Sequence, residues 1–143
     1  MTLEETIRAL RRCPLFAAAD EAGLKLVALA GEALRYRAGE ALVEQGEESD
    51  SVFVILAGEA EVRTEGAAEP VARLAPGAPF GEIGVLCDVA RTATVRAAGD
   101  VEALRLPRRS FLALLEDRPE TALALARLMA ERLRATTARL ATA

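Results

Sequence analysis

Histidine is absent from the 143-residue chain. With it go the commonest general base and the commonest metal ligand, which excludes a Ser-His-Asp triad, a His-held zinc and a His-held haem. Cysteine is scarce: Cys13 and Cys87 are the two thiols. That is too few for a four-sulfur cluster or a closed zinc site, and no disulfide framework is legible. Reduced, idle thiols in a cytoplasmic protein are the expectation. Lys25 is the one lysine, the other cations being arginine; that bias, with the abundance of alanine, reads as genome composition. No apolar run of about 18 residues is present, so no membrane-spanning helix is expected. The N-terminal Met1–Arg12 is charged and amphipathic rather than leader-like. The net charge of −4 is not gathered into a tail. It argues against a nucleic-acid reader, which would show a basic patch.

What is there is 52% hydrophobic and 28% charged residues, the balance of a soluble globular domain. The spacing of Leu3, Ile7 and Leu10 predicts a helix that Pro14 stops. Asp20 stands as an N-cap before Leu24, Val27 and Leu29, and Gly31 is the expected stop. From Leu34 the period changes. Strand-like runs, Leu34–Arg37, Ala41–Val43, Ser51–Ala57, Ala60–Thr64 and Val71–Leu74, lie between Gly39, Gly46, Gly58, Gly66 and Gly77. Glycines at intervals of roughly ten residues indicate an antiparallel barrel or sandwich. Ala57-Gly58 reads as a tight hairpin. An irregular stretch, Ala75–Arg91, precedes strands Thr92–Ala97 and Val101–Leu106. Helical spacing returns in Ser110–Glu116 and from Pro119 to about Thr142, striped by Leu125, Met129, Leu133 and Leu140. The whole reads as one domain over 1–143: two N-terminal helices over 1–33, about eight strands over 34–107, and two C-terminal helices over 108–143.

The chemistry concentrates in Phe80-Gly81-Glu82-Ile83-Gly84-Val85-Leu86 and Arg91-Thr92-Ala93-Thr94-Val95-Arg96-Ala97. Gly81 and Gly84 flank a short helix start, whose first backbone N–H groups lack intrahelical partners and face an anion. Arg91 can reach the same place and hold a phosphate through paired N–H bonds, with the Thr92 hydroxyl beside it. Glu82 would repel an anion unless it accepts hydrogen bonds, as from a sugar hydroxyl. One carboxylate, one arginine and free amides describe a sugar-phosphate site.

These residues resemble the phosphate-binding cassette of cyclic nucleotide-binding domains. The upstream Arg37-Ala38-Gly39-Glu40, Gln45-Gly46-Glu47 and Phe53-Val54-Ile55-Leu56-Ala57-Gly58-Glu59 are similar to the glycine-bearing strands of that family. The resemblance covers nearly the whole chain. It implies a mainly β fold with flanking helices: a jelly-roll-like β-roll with N-terminal helices, a short cassette helix and two C-terminal helices. It further implies that Glu82 takes the ribose 2′-hydroxyl, Arg91 the cyclic phosphate, and the backbone of Gly81, Ile83 and Gly84 part of the same phosphate. Thr92 matches a Ser/Thr that bears on the choice between cyclic AMP and cyclic GMP. The last helix, Met129 to Thr137, is similar to the dimer helix of the family's catabolite activators. That places Arg132 near the ribose and the cassette glutamate, and Thr136 and Thr137 at the base, one contributed by each subunit. Val62 and Val71 match apolar positions on the strand wall beside the base.

The expected function is a sensor without catalysis or cofactor. It binds cyclic AMP or cyclic GMP, with cyclic di-GMP a minor alternative, and moves its C-terminal helices. A homodimer through the last helix is expected, without membrane or nucleic-acid contact by this chain. Two other readings stay open. One is a ligand-free dimerisation module of the same fold. The other is the effector part of a transcription regulator, since the resembling activators continue into a DNA-binding domain beyond the point where Ala143 stands.

Overall fold

A computed structural model describes residues 1–142. Helix α1 (Leu3–Leu10) begins with a capping box: the Thr2 hydroxyl accepts from the Glu5 N–H, and the Glu5 carboxylate accepts from the Thr2 N–H, both at 3.2 Å. Helix α2 (Glu21–Ala30) starts on Asp20, whose carboxylate accepts from the Gly23 N–H at 2.7 Å. Gly31 ends α2 as expected, without a left-handed turn. Its backbone is extended (φ −101°, ψ 173°), and a β-carbon there would lie 2.7 Å from the Leu104 side chain. Close approach between helix end and sheet demands the glycine.

Eight strands follow among the described residues: β1 (Glu32–Tyr36), β2 (Ala41–Val43), β3 (Ser51–Ala57), β4 (Ala60–Arg63), β5 (Ala72–Leu74), β6 (Pro79–Phe80), β7 (Thr94–Ala97) and β8 (Val101–Pro107). They form two four-stranded antiparallel sheets, ordered β1-β8-β3-β6 and β2-β7-β4-β5. This is the mainly β roll with flanking helices that the motifs imply. The short helix α3 (Glu82–Cys87) interrupts it, and α4 (Arg108–Asp117) and α5 (Pro119–Thr142) follow it.

Three local expectations are corrected. Ala57-Gly58 is not a hairpin, because β3 and β4 lie in different sheets. Gly58 (φ +81°) carries the chain between sheets so close to Asp100 that a β-carbon would sit 2.2 Å from the Asp100 carbonyl oxygen. The stretch expected to be irregular contains β6, two residues paired with Val54 and Phe53 of β3; a proline at its start hid it. Strand β7 begins at Thr94 rather than Thr92, since Arg91 instead pairs its backbone with the 46–47 loop.

The continuous apolar run of β3 is explained by burial on both faces. Val52, Val54 and Leu56 pack with Leu10, Phe16, Leu24, Leu106, Phe111 and Leu125 beneath the helices. Phe53 and Ile55 face the inside of the roll with Leu42, Phe80, Val95, Val101 and Ala103. Helix α5 follows its predicted stripe only halfway. Leu125 is buried and Leu128 and Met129 rest on the core, but Leu133 and Leu140 are 68% and 73% exposed. No helix among the described residues is long and apolar enough to cross a membrane.

Candidate functional site

A cavity of about 300 Å³ opens where the roll, α3 and α5 meet. Its floor is apolar: Val43 of β2, Val62 of β4, Ala72 and Leu74 of β5, and Val95 of β7. These come from the second sheet, where strand alternation turns one set of side chains toward the cavity. Its polar end is built by Gly81, Glu82, Ile83, Gly84, Arg91, Thr92 and, from α5, Arg132.

Backbone geometry sets the polar end. Gly81 is left-handed (φ +90°) and caps α3 without any side-chain bond. The first N–H groups of α3 therefore lack a capping partner on the side where Gly81–Gly84 borders the cavity. Gly84 allows α3 to lie against Ser49: a β-carbon there would meet the Ser49 Oγ at 2.0 Å. That hydroxyl donates to the Val89 carbonyl at 2.7 Å, closing the loop that follows α3.

Arg91 is buried, with its side chain 4% exposed. Its Nη2 donates to the Ser51 carbonyl at 2.8 Å and to the Ser51 Oγ at 3.1 Å, and its Nη1 donates to the Gly81 carbonyl at 3.3 Å. Its guanidinium carbon lies 5.9 Å from the centroid of Phe53, which stacks on Phe80 at 5.0 Å. Burial pulls the Arg91 pKa down, opposed chiefly by the charges of Asp50 and Glu47. Arginine starts high enough to remain cationic. The result is a fixed positive charge in the cavity wall.

Glu82 is buried at the first position of α3. Its Oε1 receives the guanidinium of Arg132, which reaches across from α5. Its Oε2 is buried and has no hydrogen-bond partner. A carboxylate oxygen cut off from water and left unpaired is costly and is normally met by a donor.

Glu82, Arg91, Arg132, Thr92, Ile83, Gly81, Gly84 and Val62 are thus brought together at one cavity. Three expected residues are not. Val71 is 56% exposed and lies outside the lining. It precedes β5, on the opposite side of the strand from Ala72 and Leu74, so period-2 alternation turns it outward. Thr136 and Thr137 are exposed on the distal part of α5 and do not reach this chain's cavity; the Thr136 hydroxyl donates back to the Arg132 carbonyl at 3.0 Å. Sequence reasoning missed Ser51 and Asp50, which hold Arg91 from behind. Their signal was a polar pair at the threshold of β3, whose remaining residues are all apolar. It also missed Leu74 and Val95, hidden among ordinary strand residues.

Of the thiols, Cys13 is buried, which pushes its pKa up to about 12, and Cys87 is exposed. The described residues contain no group of three or more His, Cys, Asp or Glu that could hold a metal ion.

Comparison with known proteins gives one consistent picture. A family profile described as cyclic nucleotide-binding domain matches residues 33–118. The cAMP-dependent protein kinase regulatory subunit of Emericella nidulans is 37% identical over 89 residues, which is 62% of this chain and 22% of that protein. The structure of the Thermus thermophilus catabolite activator protein superposes with a TM-score of 0.82 at 32% identity, covering 89% of this chain and 61% of that one. The N-terminal domain of a transcriptional regulator from Streptomyces coelicolor gives 0.71 at 33% identity, covering 90% and 94%. The chain spans about a fifth of the kinase regulatory subunit's length and smaller or similar shares of other relatives, from 7% to 25%.

Proposed function

Because the chain belongs to the cyclic nucleotide-binding domain family, we propose that it is a regulatory sensor domain for cyclic AMP, with cyclic GMP the second choice. The observation that carries this reading is the buried, unpartnered Oε2 of Glu82 in the same cavity as the buried guanidinium of Arg91. A ribose 2′-hydroxyl would donate to the Glu82 carboxylate, which borders the cavity and has hydrogen-bonding capacity left over. The cyclic phosphate would lie against Arg91 and the first amides of α3, where charge-assisted bonds in a dry site are strongest. The apolar floor of Val62, Leu74 and Val95 suits the flat face of a base. Thr92 borders the same cavity and in this reading bears on the choice between cyclic AMP and cyclic GMP.

The output in this reading is a population shift. Glu82 is bonded to Arg132 of α5, and Asp88, just after α3, accepts from Arg108 of α4 at 2.8 Å. A ligand hydroxyl on Glu82 changes what Arg132 holds, and any displacement of α3 is felt at α4. The ligand biases the helices only by its difference in affinity between their placements. No catalytic step, cofactor or metal belongs to this proposal. A cytoplasmic location and a homodimer through α5 do. The matches to a catabolite activator protein and to a transcriptional regulator's N-terminal domain favour a sensor serving a transcription regulator.

Calorimetric titration with cyclic AMP, cyclic GMP and cyclic di-GMP side by side tests the reading. Saturable binding of cyclic AMP, tighter than that of the other two, is expected. No binding of any of the three overturns it, and tightest binding of cyclic di-GMP overturns the assignment of Glu82 and Arg91 to a single sugar-phosphate.

A further inference from the structure

Arg91 does not stand alone in the wall. Behind it, a second cavity of about 270 Å³ contains Asp50, Glu47 and Arg105. Neither Asp50 nor Arg105 lines the first cavity. Asp50 is shared. Its Oδ1 lies 3.6 Å from the Arg91 Nη2, and its Oδ2 lies 3.3 Å from the Nη2 of Arg105, which projects from β8. Ser51 completes the relay, its hydroxyl donating to the Asp50 Oδ1 at 2.8 Å and accepting from the Arg91 Nη2 at 3.1 Å. Each oxygen of one carboxylate thus serves a different guanidinium.

We infer that Arg105 is a positioning residue that sets the strength of the phosphate site by dividing Asp50 between itself and Arg91. The inference rests on the reading that Arg91 receives the cyclic phosphate. The charge logic is direct. Arg91 and Asp50 alone are a neutral pair, and the carboxylate draws the guanidinium away from the first cavity. Arg91, Asp50 and Arg105 together carry one net positive charge, and Asp50 is held from the far side. Removing Arg105 leaves the Asp50 charge undivided on Arg91, which both weakens the field on an incoming phosphate and pulls the guanidinium back. Glu47 also acts on Arg91 electrostatically, with the same sign as Asp50, so it adds to the negative charge that Arg105 offsets. Asp50 is 64% exposed, and solvent keeps the coupling modest, on the order of a two- to fivefold effect on affinity.

The test is a double-mutant cycle on the intact chain, read by cyclic AMP titration and by melting temperature without nucleotide. Arg105→Gln is expected to raise Kd about two- to fivefold with an unchanged melting temperature, as for a partly exposed pair. Arg105→Lys, which keeps the charge, is expected to recover most of the loss. In an Asp50→Asn background, Arg105→Gln is expected to change Kd by less than about 1.5-fold, because the pathway runs through Asp50. Wild-type affinity in Arg105→Gln overturns the inference while leaving the proposed function standing, and so does a loss that persists undiminished in Asp50→Asn. A wild-type chain that binds no cyclic nucleotide overturns both.

Discussion

At the scale of single residues, the proposed function rests on two opposite charges, Glu82 and Arg91, that the fold withdraws from water. Arg91→Ala removes a cation from a buried anion's place and is expected to weaken cyclic AMP binding by about 2–5 kcal/mol, measured by calorimetry. Glu82→Gln is expected to cost less, about 1–3 kcal/mol, since it alters hydrogen bonds to one hydroxyl and leaves the phosphate held. A larger loss for Glu82→Gln would reverse the assigned roles. The thiols give a pH prediction. Burial raises the Cys13 pKa from 9.0 to about 12, so the folded chain keeps a proton there that the unfolded chain releases. The stability this provides is complete below pH 9 and is lost as pH rises toward 12. Cys13→Ala should flatten that alkaline loss in melting curves. At pH 8, a thiol reagent should label the exposed Cys87 and leave Cys13 untouched until the chain unfolds. The identities of Glu82 and Arg91 were legible because they stand in a motif. Asp50, Ser51 and Arg105 were not, because their meaning lies in proximity across β3 and β8 rather than in spacing along the chain.

At the scale of elements, glycines decide where segments touch. Gly84→Ala would drive a methyl into Ser49, and a loss of about 1–3 kcal/mol of stability is expected, read as a lower melting temperature. Binding should weaken with it, because α3 carries Glu82 and can no longer sit against the roll. Gly99→Ala has nothing within 4 Å of the added carbon and should change stability by no more than about 0.5 kcal/mol, the control for the series. The element pattern itself was largely legible. Helix caps, the glycine rhythm and the apolar run of β3 each follow from local chemistry. The hairpin was misread for a nonlocal reason. Whether Ala57-Gly58 makes a hairpin depends on which strands pair, and β3 finds its partners in β6 and β8, far along the chain. Val71 was misplaced for a related reason: a one-residue slip in strand phase exchanges the faces.

At the scale of the molecule, α5 is longer than the body it covers. Its 24 residues span about 36 Å at 1.5 Å per residue, and Leu133 and Leu140, seven residues apart, are exposed on its distal half. In the proposed homodimer that surface meets a second copy and brings Thr136 and Thr137 toward the partner's cavity. Sedimentation equilibrium is expected to show a dimer, and Leu133→Glu with Leu140→Glu is expected to shift it to monomer. A wild-type monomer at high protein concentration would remove the dimer from the proposal.

Some features needed nothing beyond the sequence. The absence of histidine excludes whole classes of chemistry, because a side chain that is not there donates no proton and binds no metal. The caps, the order of helices, antiparallel strands and helices, and the presence of one carboxylate and one arginine in a glycine-bearing stretch also follow from residue type and spacing; the β-roll followed from the family resemblance. Tertiary structure alone decided the rest. It buried Arg91 against Ser51, left one oxygen of Glu82 without a partner, tied the other to α5, and set Arg105 and Arg91 on the same aspartate. Burial and pairing are properties of surfaces brought together from distant parts of the chain, and local spacing does not encode the distance between them.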